Sequence, residues 1–263
     1  WISKSLESFS KDLEKLNIKL ELIISDELSF FSKLKSKDKI SVYCNKVYEP
    51  DQLKLDKEVE KILEKKSISF KLLKGNILNE YQSITKNDGT PFKVFSPFWR
   101  NAEQVFLDAI PQKISEIKKL KTKKTLFNSK DNFKQIMPKK DWFKKFDLYW
   151  KPSEDEAHKN LKEFINNRIA KYGVDRDYPS INGSSKLSPY IRNGQIHVAA
   201  IYEKSSKDIK KNTSIRKYIN ELGWREFSHS LINYFPQFLK GNFRKEFDKF
   251  PWVKNEKFLK AWK

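Results

Sequence analysis

The sequence predicts an α/β unit built on a parallel sheet over residues 1–75, a long connector over 76–150, and an all-helical unit over 151–263. Three observations predict this. Apolar positions in the first part alternate between helical and strand spacing, as a strand–helix–strand unit requires. The middle part carries no clear period. From Ser153 onward helix-start signals and helical spacing dominate.

Taken in order, Ile2, Leu6, Phe9, Leu13 and Leu16 share one helical stripe. Leu20-Glu21-Leu22-Ile23-Ile24 is a short apolar run that reads as a strand. Ser25-Asp26 can cap the next helix, which carries Leu28, Phe31 and Leu34. Ile40 to Asn45 reads as a second, buried strand, with Cys44 as a small buried hydrophobe. Pro50 opens a helix in its first turn, with Leu55, Val59, Ile62 and Leu63 on one face. Ser67 to Leu72 alternates polar and apolar and reads as a third strand before Gly75. This order implies a parallel sheet with right-handed crossovers. No GxGxxG or GxxxxGK[ST] occurs, which excludes the standard dinucleotide and nucleoside triphosphate motifs.

In the connector, Phe92, Phe95, Pro97, Phe98 and Trp99 form an aromatic knot after the turn Asn87-Asp88-Gly89-Thr90-Pro91. Lysines from Lys113 to Lys145, including Lys118, Lys119, Lys121, Lys123, Lys124, Lys139, Lys140 and Lys144, interleave with Phe127, Phe133, Trp142, Phe143 and Phe146. Such a mixture can bind single-stranded nucleic acid; the reading preferred here is a surface-packed connector with solvated lysines. In the helical unit, Ser153-Glu154-Asp155-Glu156 is a Ser cap with an acidic first turn. Tyr172 to Ser188 reads as a loop, and helices are expected near 189–204, 214–234 and 255–263.

Composition bounds the function. The chain has 263 residues, 38% hydrophobic and 14% aromatic, so it can bury a real core. Lys and Arg outnumber Asp and Glu by 54 to 34, a net charge of +20, which favours a polyanionic partner, most often nucleic acid. One cysteine excludes an intramolecular disulfide, and three scattered histidines (His158, His197, His229) match no zinc spacing, so no metal is expected. No long apolar span or signal-peptide pattern is present, and the expected location is the cytoplasm, without membrane contact. Trp1 stands inside a helical pattern, and Trp252, Phe258, Leu259 and Trp262 crowd the other end, so the sequence reads as a piece lacking both ends of a longer chain.

Two constellations carry chemistry. Asn220-Glu221-Leu222-Gly223-Trp224-Arg225-Glu226-Phe227 places Glu221, Trp224 and Arg225 at i, i+3 and i+4, on one helical face. Gly223 permits close approach, Trp224 offers a stacking face and Glu221 an acceptor. Gly183-Ser184-Ser185-Lys186-Leu187-Ser188-Pro189 puts three hydroxyls and a lysine before a helix start, a pattern suited either to an anion or to a plain Ser188 cap. Arg176, between two aspartates, is either ion-paired or free to reach a phosphate.

These motifs resemble the photolyase/cryptochrome family in order and spacing: Tyr172…Arg176-Asp177-Tyr178-Pro179, the Gly183 to Pro189 run, and Asn220 to Phe227. Val42-Tyr43…Tyr48-Glu49-Pro50, Gly89 to Trp99, Tyr234-Phe235-Pro236 and the tail Phe250-Pro251-Trp252…Leu259-Lys260-Ala261-Trp262 are also similar to that family. The likeness spans essentially the whole chain and looks nearest to bacterial class I cyclobutane pyrimidine dimer photolyases. It implies a Rossmann-like α/β domain, a long connector and an all-α FAD-binding domain of which only the first half is present. It implies a monomeric bacterial enzyme for UV-damaged DNA. In that family reduced FAD absorbs light and donates an electron to a flipped-out dimer, the cyclobutane ring splits, and the electron returns.

Residue by residue, the resemblance implies that Tyr172, Ser184, Ser185, Lys186, Leu187, Ser188 and Tyr218 bind flavin. It implies that Arg176 binds DNA phosphate, Glu221 hydrogen-bonds the dimer, Trp224 stacks on it, and Arg225 lies in the same DNA-facing segment. The family often has Arg at the place of Lys186 and Trp at that of Tyr218. Asp51 and Gln52 stand where some relatives use Asn and Glu for a folate, so an antenna chromophore, folate or deazaflavin, is left unassigned. The missing half implies that these residues alone hold flavin weakly and are inactive by themselves. The other readings are a cryptochrome-type blue-light photoreceptor and a non-catalytic basic DNA-binding fragment.

Overall fold

In this computed structural model the described residues are 1–35, 39–108, 117–121, 127, 133–251 and 253–263. Lys113, Lys123, Lys124 and Trp252 lie outside them. Helix α1 (Ile2–Lys15) turns Ser3 inward, and its hydroxyl donates to the Phe133 carbonyl at 2.7 Å. Helix α2 (Glu27–Lys33) starts on Asp26, whose carboxylate accepts from the Ser29 amide at 2.8 Å. Strand β1 (Ser41–Asn45), helix α3 (Pro50–Glu64) and strand β2 (Ser69–Leu73) form one parallel crossover, with Ser41 opposite Ser69 and Asn45 opposite Leu73. Leu34, Val59 and Leu63 make its small core, with Val42, Ile68 and Phe70 against them.

Two expectations change here. Leu20 to Ile24 is not a strand: the described sheet has two strands, and Ile24 is 65% exposed. An apolar run becomes a strand only when a neighbour completes its ladder. Here the segment takes another partner, the Phe127 amide donating to the Glu21 carboxylate at 3.2 Å. Strand β1 alternates exposed and half-buried, so Cys44 is half-buried and not a core residue.

The segment read as connector contains helix α4 (Phe95–Asp108), whose Phe98, Trp99, Ala102 and Phe106 are buried. Their spacing of one, three and four residues is a helical stripe. Helix α5 (Glu154–Asn167) begins as expected on Ser153, which accepts from the Glu156 amide. Short helix α6 (Tyr172–Asp175) interrupts the stretch read as loop. The single helix expected near 189–204 is two: α7 (Ser188–Arg192) and α8 (Val198–Ser205). Gly194, at φ +73°, ends the first, with its amide on the Ile191 carbonyl and the Gln195 amide on the Tyr190 carbonyl. This paired reversal needs a left-handed residue. Gly194→Ala is expected to cost about 1 kcal/mol, read as a lowered urea midpoint. Ser188 is the first helical residue of α7 and not its cap, a place taken by Leu187.

Helix α9 (Thr213–Tyr234) is the axis of the helical unit, capped by Asn212, and α10 (Glu256–Trp262) closes the chain. Ile215, Tyr218, Ile219, Leu222 and Phe227 of α9 join the buried residues of α4 and α5 in one core with Tyr190 and Ile201. Arg216 grips Glu103 of α4 with bonds of 2.7 and 2.8 Å, and Tyr202 donates to the same carboxylate at 2.6 Å.

Residues 75–79 fasten the sheet to this helical core. The Gly75 amide donates to the Tyr48 hydroxyl at 3.1 Å. Asn76 donates to the Ile191 and Ile196 carbonyls and accepts from the Val198 amide. The Leu78 and Asn79 amides donate to Glu226 at 2.8 and 3.3 Å. No described helix is long and apolar enough to cross a membrane.

Candidate functional site

Helices α6 and α9 and the 181–187 loop bring most of the sequence-predicted site residues together. Tyr172 and Tyr218 are buried and meet edge to face, with ring centres 5.1 Å apart, over Phe164. The Tyr218 hydroxyl faces the Ser185 side chain, which brings α9 against the loop. Burial pushes both phenols above their ordinary range, so each stays protonated. Arg176 lies over the Tyr172 ring at 5.4 Å and donates to its hydroxyl at 3.3 Å. Arg176 also forms a close ion pair with Glu221, and that bond raises its already high pKa. The open choice for Arg176 therefore resolves, in the free chain, to an ion pair with the acceptor one helix away, with Asp177 farther off at 3.5 Å.

The Ser184 to Ser188 loop is shaped by its backbone. Lys186 adopts φ +54°, Leu187 is buried in the core, and Ser184, Lys186 and Ser188 are exposed. Arg168 holds the loop from behind, donating to the Asn182 and Ser184 carbonyls at 3.3 and 2.9 Å. Sequence reasoning missed Arg168, because a side chain that serves carbonyls leaves no mark in the residues it serves.

Trp224 is 46% exposed and stacks on Phe95 of α4 at 3.8 Å with planes 8° apart. Gly223 explains how α4 comes so near: a Cβ there would stand 2.5 Å from the Trp99 ring. Phe95 is a second site residue missed, hidden inside the aromatic knot.

Arg225 does not join Arg176, Glu221 and Trp224. Its guanidinium turns to Glu226 at 3.2 Å and lines a cavity of about 320 Å³ with Tyr48, Asn76 and His229. The cause is local: Glu226 is buried, and its carboxyl needs a countercharge more than solvent does. Even so, burial outweighs Arg225 and the two amides and raises the Glu226 pKa to about 7. Burial and the Arg225 and Arg192 charges lower His229 to about 4.

With this geometry in view, residues 1–116 match the family model described as DNA photolyase. The whole chain is 30% identical to the deoxyribodipyrimidine photo-lyase of Agrobacterium fabrum, over 55% of that protein. Residues 1–116 are a DNA photolyase family domain. The likeness of the photolyase domain continues through the helical unit: a solved class III photolyase from Agrobacterium tumefaciens superposes over 100% of this chain and 55% of its own, with a TM-score of 0.85 and 28% identity. Cryptochrome-2 of Arabidopsis thaliana is 23% identical over the full chain and 45% of its own length. The chain thus spans about half the length of the curated relatives it matches. The α/β domain followed by a helical domain is the architecture of these photolyases. A class III photolyase among the neighbours takes the class I reading no further than the family.

Proposed function

We propose that this chain belongs to a light-driven repair enzyme for cyclobutane pyrimidine dimers in DNA. The observation that carries the reading is the contiguous set of Arg176, Glu221 and Trp224, a cation, an acceptor and a stacking face, next to Tyr172, Tyr218 and the hydroxyl loop. A flipped lesion asks for those three groups: a stacking platform, an edge reader and a phosphate anchor.

The hydroxyl loop fits a flavin dinucleotide by its donor set. Ser184, Ser185, Lys186 and Ser188 offer three hydroxyls and an ammonium to a pyrophosphate, and Leu187 anchors the loop from the core. Tyr172 and Tyr218 supply aromatic walls. A bound reduced flavin supplies the light-excited electron. The chain's own residues bind and orient the DNA. Arg176 takes a phosphate, which releases Glu221 from its ion pair to face the polar edge of the dimer, and Trp224 holds the pyrimidines by stacking. A photoreceptor would share the tyrosines and the loop but leave Glu221 and Trp224 without a ligand.

Trp224→Ala is expected to lower affinity for a dimer-containing duplex by about 5-fold or more, since base–aromatic stacking is worth roughly 1–3 kcal/mol. Binding of undamaged duplex should not change. In the whole enzyme to which we assign this chain, Glu221→Gln should lower the yield of dimer splitting under near-ultraviolet light at constant flavin content. Wild-type lesion preference and repair in both variants would defeat the assignment.

A further inference from the structure

We infer that the 139–146 segment carries a second nucleic-acid contact, one that takes unpaired strand. Its helical turns (Asp141–Leu148) bury none of their residues. Trp142 is 65% exposed and Phe146 54% exposed, and with Trp1, Phe143 and Trp150 they line a cavity of about 420 Å³. Large apolar residues gathered at the surface mark an interaction site. Trp142 meets Phe143 and Phe146 only edge to face, at 86°, so neither ring stacks on the broad face of the indole.

Charge on the same segment selects the occupant. Asp141 is paired with Lys144 and Asp147 with Lys4. Lys139, Lys140 and Lys145 alternate with the rings in sequence, are exposed, and have no acidic partner among the described residues. The acidic groups are thus already neutralised, and the surplus is cationic, in a chain of net charge +20. An apolar peptide would satisfy the rings and leave the lysines idle. A duplex would satisfy the lysines but hide its base faces in the stack. An unpaired strand offers phosphates and open base faces together. The 139–146 segment of the connector therefore presents Trp142 and Phe146 outward, and it shares no residue with the Arg176–Glu221–Trp224 site.

The test is fluorescence anisotropy of the full chain with a labelled thymidine oligonucleotide about 12 nucleotides long, within the usual span of one such site. The expected result is preference for this strand over undamaged duplex of equal length. The logarithmic salt slope should be about −2, near −0.7 for each of three phosphates. The double variant Trp142→Ala, Phe146→Ala should bind about 5-fold more weakly or worse, from the lost stacking. The double variant Lys139→Gln, Lys140→Gln should flatten the slope by about 1.4. The Trp142→Ala, Phe146→Ala variant should keep wild-type affinity for a dimer-containing duplex, which separates this site from the lesion site. Equal affinity for duplex, or wild-type affinity in both double variants, would overturn the inference. So would self-association through this face, removed by the aromatic variant, with no oligonucleotide bound.

Discussion

Gly75→Ala is expected to destabilise the chain by about 3 kcal/mol or more, the upper range for forced overpacking. A Cβ at Gly75 would stand 2.1 Å from the Lys46 carbonyl oxygen and 3.0 Å from the Tyr48 ring. Neither neighbour can retreat cheaply. Lys46 extends the parallel pairing through its amide, 2.9 Å from the Leu73 carbonyl, and Tyr48 is buried and bonded to the Gly75 amide. The Gly75 carbonyl is also fixed, by the Ile77 amide at 2.8 Å and by a contact with His197 at 3.2 Å. Urea unfolding followed by circular dichroism reads the effect. An unchanged midpoint would show that the sheet and the helical core are not joined through this turn.

The second large effect is a pair of opposed pH dependences on α9. Glu226 titrates near 7 in the fold against an ordinary 4.5, so the folded chain keeps a proton that the unfolded chain has lost. Its contribution is complete below pH 4.5 and disappears as pH rises through 7. His229 titrates near 4 against 6.5, so its contribution is complete above pH 6.5 and disappears as pH falls through 4. Between pH 4.5 and 6.5 the two slopes have opposite sign and should largely cancel. Glu226→Gln leaves His229 alone, and stability should then rise with pH by up to about 1.4 kcal/mol per unit. His229→Gln should show the reverse slope. Arg225, Lys74 and Arg192 are the charges facing these groups. Urea midpoints at both limits of the window decide it; flat profiles in both variants would remove the account.

Sequence spacing placed Glu221 and Trp224 on one face of α9, whereas the roles given to Tyr172, Arg176 and Tyr218 rest on the family resemblance and not on spacing. Spacing was blind to partners brought from afar. Nothing near Glu226 announces the Leu78 and Asn79 amides, and nothing near Asn76 announces the backbone of residues 191–198. Arg225 shows the limit of face counting, since a long side chain can leave its own stripe for a buried carboxyl. Helix α4 was overlooked for a different reason: its aromatics drew attention as a cluster, although their spacing was helical throughout. Leu20 to Ile24 carries a strand's composition, but a ladder belongs to two segments and cannot be read from one.

The parallel contact of Phe95 with Trp224 has a consequence for what the indole can recognise. With one side of the ring occupied, any guest must approach from the other, so the platform distinguishes front from back. Under the proposed function, a pyrimidine dimer arriving there would be sorted by handedness as well as by shape, since only one of its two faces could lie on the ring with its polar edge toward Glu221.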